Sequence, residues 1–401
     1  MTTKLYDSDA YLQQFDAQVI SCTQCRDQTL AIVLNATAFF PEAGGQSADT
    51  GTLGNLPVTD VQIDDRGVIT HFCKIPADPE SDASLPTIEA GQTVHGRIDW
   101  ARRFSMMQHH TGEHMFSGLV FRDHGFANVG FHLSDHICTM DYNGVLSPED
   151  IHRLEAECNR HIFQNRHITC SYPGEDALDC LTYRCKGELT PPIRIVTIDG
   201  VDCCACCAPH VRRTGEVGIL KVVESKSYKG GVRLTIVCGQ KAFADYCRRF
   251  EIVNAASRLL SSHYETLEDR VSQLVAERNA LQLALADARR ERLTILLEHT
   301  PAASIERPAV LFIENVDTQS LRHGVNAMME QGEGICAIFC GNDTDGYTFI
   351  AGSRSIDMQT LAAFLRQTCS AKCGGSAQMI QGQLSRTSRA IADALQAFSG
   401  E

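Results

Sequence analysis

Long apolar runs are missing from this 401-residue chain. No stretch of about eighteen or more apolar residues occurs, so a membrane partner is not expected. The opening MTTKLYDSDAYLQQF lacks a basic segment followed by an apolar one. A secretory leader is therefore not expected, and a cytoplasmic location is. Basic charge is also scarce: 36 Lys and Arg stand against 49 Asp and Glu, a formal net charge of −13. That argues against broad, nonspecific adhesion to nucleic acid, although a local basic track can hide within the sum. Glycine and proline are both absent from Lys241 to Thr300, which leaves a long segment with nothing to break a helix. What the chain has in plenty is cysteine, with 18 residues. In a reducing compartment these are apolar core residues or thiols that serve a metal, rather than disulfides.

The pattern along the chain is α+β. Residues 1–95 are strand-rich: TLAIVLNATAFF, PVTDVQIDDRG and GVITHFCKI are β-favouring runs separated by turn residues. Asp65-Arg66-Gly67 reads as a hairpin connection, and PADPESDASLPT (76–87) as a solvated loop. From Asp99 to about Val120 the pattern turns helical, and ANVGFHLS with HICTMDY reads as a hairpin. Ser147 three residues before Asp150 resembles a capping box for the amphipathic run that follows. Strands are expected at IRIVTI, GILKVVES and GVRLTIVCG.

Within Lys241–Thr300, a heptad seam runs from Leu260 through Tyr264, Leu267, Val271, Leu274, Arg278, Leu281, Leu285, Ala288 and Arg292 to Ile295. This is either a helix lying on its own protein or a coiled coil that dimerises, and Ser262 with Glu265 could start a fresh helix inside it. After PAASIERPA an α/β module begins, with a Gly-rich KCGGSAQMIQG (372–382) before a last helix. The expected organisation is a small β-barrel-like domain over 1–95, an α+β domain over 96–246, a coiled-coil-like helical linker over 247–300, and an α/β domain over 301–401.

Two stretches carry metal chemistry. His110 and His114 stand at i and i+4, so two imidazoles leave one helix face a turn apart. Cys206 and His210, in CCAPH, offer a thiolate and a third imidazole from a loop. One soft sulfur with several nitrogens suits zinc better than magnesium or calcium. H-T-G-E-H differs from the metalloprotease H-E-x-x-H because Glu113 directly precedes His114, which leaves it poorly placed as that family's base. A structural site of Cys203, Cys204, Cys206 and Cys207 with Cys22 and Cys25 would need cysteines crowded in a way that zinc knuckles do not show.

Four motifs carry a family resemblance. TAFFPEAGGQSADTG (37–51) resembles the T-x-F-Y-P-E-G-G-G-Q-x-x-D-x-G segment of alanyl-tRNA synthetase editing domains. HHTGEHMFSG, after IDWARRFSMMQ, is similar to their H-x-x-x-H helix, and CCAPH to their C-x-x-x-H motif. ESKSYKGGVRLTIVCGQKAFADY resembles their closing strand and helix. The long helix and final module look like the synthetase's C-terminal domain, also seen in DHH phosphoesterases. The aminoacylation core and its ATP-binding motifs are absent. The layout resembles the long form of the free-standing alanyl-tRNA editing proteins, the AlaX family.

That resemblance implies a zinc-dependent hydrolase that strips chiefly serine from mischarged tRNA(Ala), with glycine as a second candidate. His110, His114, Cys206 and His210 would hold the zinc. Thr37 would supply the hydroxyl that recognises the seryl side chain, and Gln46 a polar active-site group. The sequence departs from the pattern at Ala43, where a third glycine is usual, and at Ala208-Pro209, where Gly-Thr is usual. A homodimer through the long helix or the C-terminal module stays open. So does the alternative of a zinc-stabilised tRNA-binding protein without turnover.

Overall fold

The computed structural model describes residues 1–25, 28–75, 88–185 and 191–398. The acidic loop expected over 76–87 lies outside them. The chain divides into two compact units, Met1–Val253 and Asn254–Glu401.

The first unit opens on strict alternation. In β1 (Gln14–Gln24) Phe15, Ala17 and Val19 point inward while their neighbours face solvent. Five more strands join it: β2 (Thr29–Leu34), β3 (Gly51–Leu53), β4 (Leu56–Ile63), β5 (Ile69–Lys74) and β6 (Thr93–Ile98). They close into a barrel in the order β1-β2-β5-β4-β3-β6, with β6 pairing back onto β1. Ile32, Leu34, Phe39, Phe40, Leu53, Leu56, Val61 and Ile69 fill its interior. Closure removes the free edges that an open sheet of this size would expose. The connection at Asp65-Arg66-Gly67 is tight because the Asp64 carboxylate accepts from the backbone N–H groups of Arg66 and Val68.

After the barrel comes α1 (Trp100–His124), capped by the Asp99 side chain on Arg102 N and ended by Gly125 in the left-handed region. Every residue from Met106 to Val120 is buried. Such a helix is a core element rather than an amphipathic surface one, and beyond Val120 it continues, largely exposed, for one more turn to its glycine cap. Around it pack α2 (Pro148–Phe163) and two sheets. One sheet has the order β12-β13-β8-β7, from β7 (Asn128–Leu133), β8 (Cys138–Tyr142), β12 (Leu220–Tyr228) and β13 (Gly231–Cys238). The other is β9-β10-β11, from β9 (Ile168–Ser171), β10 (Ile195–Ile198) and β11 (Asp202–Ala205). The expected capping box forms, with Ser147 and Asp150 bonding each other's backbone.

The long helix is interrupted. α3 (Gly239–Leu259) and α4 (Leu267–Glu298) are separate helices. Ser261 takes a left-handed conformation, φ +49°, and stops the first of them although no glycine or proline is present. The second does not start on a Ser262–Glu265 cap: its N-cap is Thr266, which makes no side-chain cap bond. Along α4 the heptad seam is not packed, and Leu281 stays 71% exposed. Only near its end does α4 bury a residue, Leu293, in a core.

The second unit is built on a five-stranded sheet of order β14-β15-β16-β18-β17. Its strands are β14 (Ala309–Ile313), β15 (Cys336–Asn342), β16 (Gly346–Gly352), β17 (Lys372–Gly375) and β18 (Met379–Leu384). Only β14 and β15 are parallel. Side chains alternate between two cores. Cys336 and Ile338 meet α5 (Thr318–Gln331) on one face. Ala337 and Phe339 meet α6 (Met358–Thr368) and α7 (Ser388–Ala397) on the other. KCGGSAQMIQG, read as a Gly-rich segment before the last helix, is the β17–β18 hairpin. No helix among the described residues is long and apolar enough to cross a membrane.

Candidate metal centre

Burying α1 buries its histidines, and a desolvated imidazole needs partners for both ring nitrogens. Each of the three candidate histidine ligands has Nδ1 engaged. His110 Nδ1 lies 2.7 Å from Gln46 Oε1, His114 Nδ1 3.1 Å from Asp202 Oδ2, and His210 Nδ1 3.0 Å from Thr111 Oγ1. With a carbonyl and a carboxylate as two of these acceptors, the Nδ1–H donates and Nε2 keeps its lone pair, the tautomer a metal requires.

Those Nε2 atoms converge. Cys206 Sγ stands 3.5 Å from His110 Nε2 and 3.4 Å from His210 Nε2. The four ligand atoms of His110, His114, Cys206 and His210 all lie within 4.8 Å of one another. A tetrahedral zinc site, with bonds of about 2.0–2.1 Å to nitrogen and about 2.3 Å to sulfur, has N···S edges of about 3.5 Å. The residues fit the ion. Burial pushes the Cys206 thiol well above its ordinary range and, with His114 and His110 beside it, holds His210 well below its own. The uncharged donors would accept a cation that takes the place of the thiol proton.

Outside the quartet, Asp202 is clamped by Arg184, whose Nε and a terminal nitrogen each donate at 2.7 Å to one carboxylate oxygen. Burial raises the Asp202 carboxyl, but bonds from His114 and Arg184 outweigh it and hold the group below its usual range. The loop bearing Cys206 is fixed by Arg194, which donates to the carbonyls of Cys206 and Ala208. A cavity of about 330 Å³ opens on the centre, lined by His110, His114, Cys206, Glu113, Lys4 and Tyr172 among others.

Residues 193–235, which include Cys206 and His210, match the family described as "Threonyl and Alanyl tRNA synthetase second additional domain". The chain is 29% identical, over 73% of its length, to the alanyl-tRNA editing protein AlaX-L of Pyrococcus horikoshii, and covers 71% of that protein. The chain is AlaX-like. An alanyl-tRNA editing protein of Rattus norvegicus is 24% identical over 96% of this chain and 95% of its own length. The alanine–tRNA ligase of Ignicoccus hospitalis is 31% identical over 75% of this chain. The chain spans only 33%, 32% and 42% of the ligases from Ignicoccus hospitalis, Pyrococcus furiosus and Pyrococcus abyssi.

In this AlaX-like chain, Gln46 reaches the centre through two glycines. Gly44 and Gly45 take left-handed conformations, φ +61° and +83°, and a Cβ on Gly45 would lie 2.3 Å from Phe131 O. The segment docks on β7 by bonds from Leu133 N to Gly45 O and from Ser47 N to Leu133 O. Ala43, in place of the usual third glycine, is not among the positive-φ residues, so the departure costs the turn nothing.

Thr37 is the expected site residue that the structure does not bring to the quartet. It is fully buried in the barrel core. Its hydroxyl lies 2.8 Å from His71 Nε2 and accepts from Phe39 N. Its strand partner Lys4 lines the cavity, and Thr37 is not among the described lining residues.

Sequence reasoning undervalued Glu113. Its side chain is buried in the cavity wall, with Oε1 accepting from Ser117 Oγ at 2.7 Å and from Asn128 Nδ2. Oε2 lies 3.8 Å from His114 Nε2. The signal was present, because 110, 113 and 114 are i, i+3 and i+4, all on one helix face. Asp202, Arg184 and Thr111 carried no such signal.

Proposed function

We propose that this chain is a zinc-dependent hydrolase that removes a wrongly attached amino acid, chiefly serine with glycine as a second candidate, from alanine tRNA. The observation that carries this reading is the quartet itself: three imidazoles, each held at Nδ1, around a thiol, beside a cavity with a buried carboxylate. The names of the relatives supply the substrate class. His110, His114, Cys206 and His210 would hold the ion, which when bound supplies a Lewis acid toward the ester carbonyl.

The chain's own groups do the remaining work. Gln46, Asp202 and Thr111 hold the three rings in register. Glu113 accepts a proton from the attacking water at Oε2 and returns it to the ribose oxygen released when the ester C–O bond breaks, while Ser117 and Asn128 hold Oε1. The buried walls keep bulk water from the ester.

Binding without turnover would use the same metal donors but gives Glu113 no task in the cavity wall. Hydrolysis of seryl-tRNA(Ala) and alanyl-tRNA(Ala) by the purified chain tests the proposal. The seryl ester should be lost much faster. Equal rates on both esters would remove the editing assignment, and no protein-dependent loss of either would remove the hydrolase.

A further inference from the structure

The cavity is small for its expected substrate. At about 330 Å³ it sits at the low end for ligand sites, enough for an aminoacyl ester and its sugar. The base and phosphate of the same nucleotide must then lie toward solvent, and two side chains of the cavity lining stand out as partners for them.

Tyr172 follows β9, lines the cavity and is 48% exposed. Its hydroxyl donates to Asp7 Oδ2 at 2.9 Å, which fixes the ring from the far end and leaves aromatic surface in solvent. An aromatic face left in water gains free energy when it is covered, and a stacking base covers it. Lys4 is the other.

Among the described residues three Lys and Arg side chains line the cavity: Lys4, Arg184 and Arg194. Arg184 is committed to Asp202, and Arg194 to the carbonyls of Cys206 and Ala208. The Lys4 ammonium has no hydrogen-bond or ion-pair partner among the described residues, and Lys4 is tied into the wall by its backbone pairing with Thr37. An aromatic face and an uncommitted ammonium lining one cavity are the two elements that proteins combine for single-stranded nucleic acid, base on ring and phosphate on cation.

We infer that Tyr172 and Lys4 form a subsite for the 3′-terminal nucleotide of the RNA, the base stacking on Tyr172 and a phosphate meeting Lys4. This rests on the hydrolase reading above, since it assumes that the ester enters this cavity.

The test uses the full chain and two probes. One is the trinucleotide CCA, whose binding is measured directly by equilibrium titration. The other is seryl-tRNA(Ala), compared with serine methyl ester, which has neither base nor phosphate. Tyr172→Ala should weaken CCA binding and raise KM for the tRNA by roughly ten-fold or more, with kcat little changed. The kcat/KM ratio of tRNA to methyl ester should fall by the same factor. Tyr172→Phe keeps the ring and should restore most of both. Lys4→Gln should weaken CCA binding and flatten its salt dependence by about one phosphate contact.

If CCA affinity and KM ignore Tyr172→Ala, the subsite is wrong while the hydrolase reading survives. Equal losses on the tRNA and the methyl ester would also overturn it, by making Tyr172 part of the cavity's structure. A protein that binds CCA through Tyr172 and Lys4 yet hydrolyses neither ester would keep the subsite and remove the hydrolase.

Discussion

His114 shows what a single residue must satisfy here. It is buried, its Nδ1 is bonded to a carboxylate clamped by Arg184, and its Nε2 faces three other donors. His114→Ala should therefore abolish zinc in metal analysis. Asp202→Asn, which keeps the shape but removes the charge, should weaken zinc binding by about 10- to 100-fold. Glu113→Gln should leave zinc in place while lowering kcat by about 100- to 10,000-fold. Normal turnover in that variant would take the proton acceptor away from Glu113. The resemblance gives the Thr37 hydroxyl to serine, whereas the structure gives it to His71. Thr37→Val separates these roles. It should cost about 1–3 kcal/mol of stability, seen in the unfolding midpoint, by leaving a buried nitrogen unpaired. The same variant would lose seryl activity selectively only if the hydroxyl reads serine. Burial lowers His71 from 6.5 to about 4. The folded chain thus holds it neutral while the unfolded chain takes up a proton. That contribution to stability is complete above pH 6.5 and is lost as pH falls from 6.5 through about 4, roughly 3 kcal/mol in all. An NMR titration that placed His71 near 6.5 would contradict this.

At the scale of elements, the deciding feature is a helix buried along most of its length. α1 can approach β11 only because position 118 is glycine: a Cβ there would lie 2.5 Å from Val201 O, next to the strand that carries Asp202. Gly118→Ala should destabilise the first unit by about 1–3 kcal/mol and lower zinc affinity by displacing Asp202, with metal titration as the readout. The sequence made several elements legible for physical reasons. Alternation marked the barrel strands, and the i, i+4 histidines with C-x-x-x-H marked the quartet. Elements whose cause lies elsewhere in the chain were not legible. Ser261 ends a helix without any breaker residue, and the Gly-rich KCGG pairs as a strand only because β18 is beside it. Asp202, Arg184 and Thr111 are ordinary residues in sequence, and only the fold puts them behind the ligands.

For the whole molecule, the division at Val253/Asn254 separates the proposed chemistry from the rest. On the proposed function the cavity would take only the end of an RNA, so a preference for alanine tRNA would have to come from surfaces outside it. Arg322, His323, Arg354, Arg366, Lys372 and Arg386 of the second unit are candidates to meet phosphates. A chain truncated after residue 253 should keep zinc and some deacylase activity while losing tRNA affinity and much of its preference for alanine tRNA. Unchanged affinity and salt dependence would show that the second unit is not the reader. All of this depends on the quartet acting as a catalytic metal site. The most direct measurement is the rate of seryl-tRNA(Ala) deacylation by the purified chain before metal removal, after it, and after zinc is restored. The rate should be lost with the metal and return with zinc. A protein stripped of metal, still folded and deacylating at its original rate, would contradict the account.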